Sequence, residues 1–132
     1  KLNSSIAVQS MATPLLVPVI EEGLAKSQIS VDVLAYYLQK PVLENISALI
    51  LGCTHYPILH EQIVGFLKGK VEVIDSPLIV AETISQVLDA KGLLAKKRSG
   101  PHTFFVSDYT ETFEFIARQF FGNDLTLLEQ RI

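Results

Sequence analysis

The 132-residue chain has one cysteine, Cys53, and it stands in the run Gly52-Cys53-Thr54-His55-Tyr56-Pro57. A thiol and an imidazole two residues apart can share a proton, or the imidazole can donate a hydrogen bond to a ligand. Thr54 between them adds a hydroxyl and a backbone N–H, and Gly52 lets a ligand approach the backbone closely. Where such a run leaves a strand and enters a helix, the N–H groups and dipole of the helix favour a thiolate and suit a carboxylate ligand. A lone cysteine among apolar residues is also a common small core residue. The residue types alone leave both readings open.

Other chemistries are easier to set aside. The three histidines are His55, His60 and His102, and with one cysteine they make no structural or catalytic zinc pattern. There is no Gly-rich phosphate loop of either common type, and Leu51-Gly52-Cys53-Thr54-His55 lacks the form of a nucleophile elbow. Eleven Lys and Arg against fourteen Asp and Glu give a net charge of -3, which argues against nucleic acid or an acidic membrane as partner. A single cysteine excludes an internal disulfide framework, and the longest apolar runs are far too short to span a bilayer. The opening KLNSSIAVQS has no apolar segment of signal-peptide length, so a soluble protein of a reducing, cytoplasmic compartment is expected. With 48% apolar residues, seven Gly and six Pro, the chain is globular and of single-domain size. Its start at Lys1 without Met reads as processing, missing residues or a piece of something longer.

The elements that must position Cys53 follow from apolar patterning. Ser5–Met11 reads as a short strand, broken by Ala12-Thr13-Pro14. Thr13 is then expected to cap a helix with Pro14 in its first turn and Leu15, Leu16 and Val19 on its apolar side. Pro18 makes that helix short, and Glu21-Glu22-Gly23 ends it. A second helix is expected over Ile29 to Lys40, with Val33, Tyr36 and Tyr37 at helical spacing and one further turn over Pro41–Asn45.

Ala48–Leu51 is a strand-like run leading straight into the cysteine segment, and Pro57 opens a helix with Leu59, Ile63, Phe66 and Leu67 as its stripe. Val71–Ile74 is the next strand, followed by a helix with Ser76 as cap, Pro77 in first place, and Val80, Ile84, Val87 and Leu88 facing inward. Phe104–Val106 is a third strand, Thr110 caps a helix through Phe113, Ile116, Ala117 and Phe120 to Gly122, and Leu125–Leu128 is a last strand. Apolar strands alternating with amphipathic helices predict a parallel α/β sheet covered on both faces. Lys91–Pro101, with Lys91, Lys96, Lys97 and Arg98, reads as a solvent-facing linker.

Leu51-Gly52-Cys53-Thr54-His55-Tyr56-Pro57-Ile58-Leu59 closely resembles the second cysteine motif of bacterial glutamate racemases. Ala12-Thr13-Pro14-Leu15-Leu16-Val17-Pro18-Val19-Ile20-Glu21 resembles the segment before that family's active-site glutamate, with Thr13 where a cysteine is usual. Val73–Ser76 and Phe104–Ser107 with Glu111-Thr112-Phe113 resemble later parts of the same enzymes, in order. The resemblance implies a three-layer parallel-sheet domain of the aspartate/glutamate racemase type, present as part of a two-domain enzyme. It implies cofactor-free interconversion of L- and D-glutamate for peptidoglycan, by two cysteines on opposite faces of the substrate α-carbon.

Carried over, Cys53 is the second catalytic cysteine and the base toward L-glutamate, assisted by His55; Thr54 contacts the substrate's charged groups. Glu21 corresponds to the conserved glutamate, with Glu22 one residue away as the alternative. His55-Tyr56-Pro57 favours glutamate, since the related aspartate racemases typically carry Glu where His55 stands. A racemase for another amino acid, or a non-catalytic half-domain that binds a small acid, are the alternatives.

The family's first cysteine has no counterpart here, so the resemblance is to the second half of such an enzyme. It implies residues 1–91 as most of the second domain, 92–102 as a crossing linker, and 103–132 as a strand and helix that pack on the first domain. The implied partners are glutamate, the N-terminal half of the same enzyme and, as a further candidate, a second copy; no metal or cofactor is implied. The chain alone is then expected to be inactive, and to expose apolar faces around Phe104–Phe121.

Overall fold

The computed structural model describes residues 5–97, 100 and 102–131. Among the described residues, nine elements follow one another: α1 (Leu16–Glu21), α2 (Gln28–Leu38), β1 (Ala48–Leu51), α3 (His60–Phe66), β2 (Glu72–Asp75), α4 (Ser76–Ala90), β3 (Thr103–Val106), α5 (Glu111–Phe121) and β4 (Thr126–Glu129). Short 3₁₀ turns at Pro41–Leu43 and Tyr56–Leu59 lead into β1 and α3.

The four strands form two parallel pairs. β1 pairs with β2, Ala48 opposite Glu72 and Leu51 opposite Asp75. β3 pairs with β4, Thr103 opposite Thr126 and Val106 opposite Glu129. Each pair is joined through a helical crossover, as parallel neighbours require. The fold is the expected α/β type with parallel strands, but the strands divide into two small sheets and do not form one covered on both faces.

A single core lies beside β1–β2. Leu16 and Ile20 of α1, Leu34 and Tyr37 of α2, Leu51 of β1, Leu59 and Ile63 pack together, with Leu59 fully buried. Ser30, Leu34 and Tyr37 form the buried side of α2, at i, i+4 and i+7. Tyr36, expected on that side, is exposed and lies under the Lys40 ammonium, 4.6 Å from the ring centre. Ser30, wholly buried, satisfies its hydroxyl on the Ala25 and Ser27 carbonyls.

Several local expectations are corrected. Residues 6–13 have no regular secondary structure, and Ile6 and Val8 are exposed, so the Ser5–Met11 run gains no burial that would hold it as a strand. Thr13 does not cap α1: the helix begins at Leu16, and the Thr13 hydroxyl meets Tyr56 instead. Pro18 is tolerated because it lies in the first turn, where its missing N–H has no helical partner to lose. The cap of α4 is Asp75, whose carboxylate accepts the Leu78 N–H, and Ser76 is the first helical residue. Val80, Ile84 and Val87 of α4 are exposed, and α4 buries no residue at all. Thr110 does cap α5, accepting the Phe113 N–H, and Gly122 follows its end.

The third strand and α5 sit as a separate βαβ unit. α5 approaches the rest of the chain at Gly23, where φ is +73° and an added Cβ would stand 2.9 Å from the Phe115 ring. Glycine is required there both by backbone conformation and by space. Phe105, Phe113, Phe120 and Phe121 are exposed, the apolar surface expected around Phe104–Phe121. Of the basic run, Lys91, Lys96 and Lys97 are exposed, while Arg98 and Pro101 lie outside the described residues.

Candidate active site

Parallel pairing brings the C-terminal ends of β1 and β2 to one edge, and the cysteine segment leaves β1 at that edge. Gly52 opens onto free space: a Cβ placed there would meet no atom within 4 Å beyond its neighbours. The loop is closed by its own backbone, with Tyr56 N–H donating to the Cys53 carbonyl and Ile58 N–H to that of His55. Pro57 sits in the 3₁₀ turn that follows, where its fixed φ suits the bend. Leu59, at the end of that turn, is the anchor that ties the loop to the core.

Within this loop Cys53 is half-buried and Thr54 exposed. The Cys53 Sγ lies 3.8 Å from His55 Nδ1, and the other ring nitrogen, Nε2, lies 3.3 Å from Glu21 Oε1. The three groups therefore form a line: thiol, imidazole, carboxylate. A carboxylate accepts the Nε2 proton, which leaves Nδ1 as the acceptor facing the thiol. One imidazole is thus within reach of both a thiol and a carboxylate. His55 and Glu21 are 28% and 46% exposed in their side chains, so the site is open to water on at least one side.

Of the residues singled out from sequence, Cys53, His55 and Glu21 are brought together across two elements, and Thr54 stands beside them in the same loop. It is Glu21 whose carboxylate meets His55. Glu22, its neighbour, shares with it a shallow cleft whose far wall is Glu111, Thr112 and Phe115 of α5.

Two contacts were not foreseen. Tyr56 and Thr13 meet through their hydroxyls at 2.6 Å, and the Tyr37 hydroxyl accepts the Leu15 N–H at 3.2 Å. The only sequence sign of the first was a hydroxyl residue at position 13, which local reasoning assigns to a helix cap. Among the described residues, no three His, Cys, Asp or Glu side chains gather where they could share a metal ion, and no helix is long and apolar enough to cross a membrane.

No protein-family model matches the chain. Individual relatives do. It is 34% identical over 128 residues to glutamate racemase of Neisseria meningitidis, an alignment covering 96% of this chain and 47% of that protein. Among solved structures, a glutamate racemase isoform from Bacillus anthracis superposes with a TM-score of 0.81 at 32% identity, covering 99% of this chain and 48% of the other. A Francisella tularensis glutamate racemase in complex with D-glutamate superposes at 0.73 with 33% identity, over 89% of this chain and 44% of that one. The chain thus has the fold of these enzymes and spans about half the length of the relatives it matches.

Proposed function

We propose that this chain, which belongs to the glutamate racemase family over the span it shares with those enzymes, supplies one of the two acid–base half-sites of a cofactor-independent glutamate racemase. The observation that carries the proposal is the line from Cys53 through His55 to Glu21, at 3.8 and 3.3 Å. A thiol needs such help, because its ordinary pKa of about 8.5 leaves little thiolate at neutral pH.

In the forward direction the Cys53 thiolate takes the α-proton of L-glutamate, and the electron pair left on the α-carbon is delocalised into the substrate carboxylate. A thiol on the opposite face, from the complementary half, then delivers its proton to give D-glutamate. Thr54, at the exposed turn beside Cys53, donates to the substrate's charged groups as charge grows on the carboxylate. Proton abstraction from so weak a carbon acid requires a site closed to water. The exposure of Glu21 and His55, and of the phenylalanines on α5, supports a covering partner.

We take the chain as the second half of the enzyme. Residues 1–91 form most of its second domain, 92–102 cross over, and 103–132 dock on the first domain, with a second copy as a further partner. The product would be D-glutamate for peptidoglycan, made in the cytoplasm. Glutamate is favoured over aspartate because His55-Tyr56-Pro57 resembles the glutamate racemases, whereas the related aspartate racemases typically carry Glu where His55 stands.

The test is α-proton exchange in deuterated water, followed by NMR together with optical inversion. The full-length product of the gene encoding this chain should exchange and invert both L- and D-glutamate, and Cys53→Ala should lose inversion in both directions and the exchange of L-glutamate. The 132-residue chain alone should do neither. Turnover by the chain alone would sink the two-thiol assignment, and exchange with aspartate but not glutamate would move the substrate.

A further inference from the structure

α1 is only six residues long, yet it must deliver Glu21, its last residue, to His55. So short a helix has little stability of its own and takes its direction from what it touches. Thr13, just before it, meets the Tyr56 hydroxyl at 2.6 Å across 43 residues of sequence, and Tyr56 directly follows His55. Tyr56 is half-buried and packs against the core, so it is a fixed post. The result is a closed ring: Thr13, α1, Glu21, across to His55, along one peptide bond to Tyr56, and back to Thr13. A single contact between two segments leaves a pivot, whereas two contacts fix an angle.

We propose that the Tyr56–Thr13 hydroxyl pair is a positioning clasp that sets the angle of α1 against the cysteine loop and so holds Glu21 on His55. Tyr56 and Thr13 are positioning residues, acting on Cys53 only through Glu21 and His55. Tyr37, buried on α2, holds the start of α1 as well by accepting the Leu15 N–H.

The inference rests on the acid–base reading of Cys53, His55 and Glu21, but its test uses no substrate, so the clasp and racemisation can fail separately. The rate of Cys53 alkylation by iodoacetamide at pH 7 is measured on the Cys53 peptide by mass spectrometry, in the protein carrying this chain. Tyr56→Phe and Thr13→Val should each slow it by about threefold to tenfold, the scale of one lost hydrogen bond. Thr13→Ser, which keeps the hydroxyl, should react at the parent rate. In a Glu21→Gln background, Tyr56→Phe should have less than about a twofold further effect, because non-additivity marks residues acting through one another. Unchanged rates in both clasp variants, slowing in Thr13→Ser equal to that in Thr13→Val, or equal slowing with and without Glu21 would each overturn the proposal. Where Tyr56→Phe does not fold by circular dichroism, the two Thr13 variants decide alone.

Discussion

Glu21 Oε1 stands 3.3 Å from His55 Nε2, while the Nδ1 side of the same ring faces Cys53. One imidazole thus joins a carboxylate at the end of α1 to a thiol in the loop that leaves β1, two segments from different parts of the chain.

Glu21→Gln is expected to lower kcat for glutamate in the full-length enzyme by about a hundredfold, the scale of a general acid–base contribution, with little change in KM. Glu22→Gln, whose carboxylate does not meet His55, should stay within about twofold. Steady-state rates in both directions on the two variants check this; equal losses would show that the ion pair is not what matters.

Leu59→Ala should destabilise the fold by about 2–5 kcal/mol, because Leu59 is fully buried where the cysteine loop joins the core. Urea titration followed by circular dichroism reads this directly. A cost below about 1 kcal/mol would mean that the loop is held from elsewhere.

Gly23→Ala should cost at least about 1 kcal/mol, since alanine there is strained at φ +73° and its Cβ would press on Phe115. Shortening Phe115 in the same chain should recover the steric part and leave the backbone part. The double variant's melting temperature separates the two.

On α5, the Glu114 carboxyl is held below its usual value, first by the hydrogen bond from the Tyr109 hydroxyl and then by Arg118, which also bonds it. The Tyr109 hydroxyl is correspondingly pushed up, chiefly by that same bond. A lowered carboxyl adds stability that is complete above the ordinary value of 4.5 and is lost as pH falls through its folded value. A raised phenol adds stability that is complete below its ordinary value of 10.0 and is lost as pH rises through the folded one. Hydrogen exchange along α5 should therefore accelerate below pH 4.5 relative to α2, by a small amount because the groups are at the surface. Glu114→Gln should remove the difference; a profile unchanged by that substitution would contradict it.

Much of the site was legible because its chemistry is local in sequence. Cys53, Thr54 and His55 sit within three residues after an unmistakable strand, and Glu21 came from a long family-like segment. What escaped was non-local. Thr13 is an ideal cap by type, and only the approach of Tyr56 from 43 residues away draws its hydroxyl elsewhere. The side of α4 was misjudged for the opposite reason. Val80, Ile84 and Val87 have the spacing of a buried stripe, but periodicity says which residues share a face and not whether anything covers it. Ser5–Met11 fails likewise, since alternation of Ile6 and Val8 becomes a strand only beside a neighbour.

The division of four strands into two parallel pairs bears on how the chain is born. Ala48 to Glu72 closes the first pair and Thr103 to Thr126 the second, so neither ladder waits on residues belonging to the other. During synthesis, the unit bearing Cys53 and its core can settle while the phenylalanine-rich unit is still being made. The phenylalanines of α5 therefore emerge beside a Cys53 unit whose own ladder can already be complete.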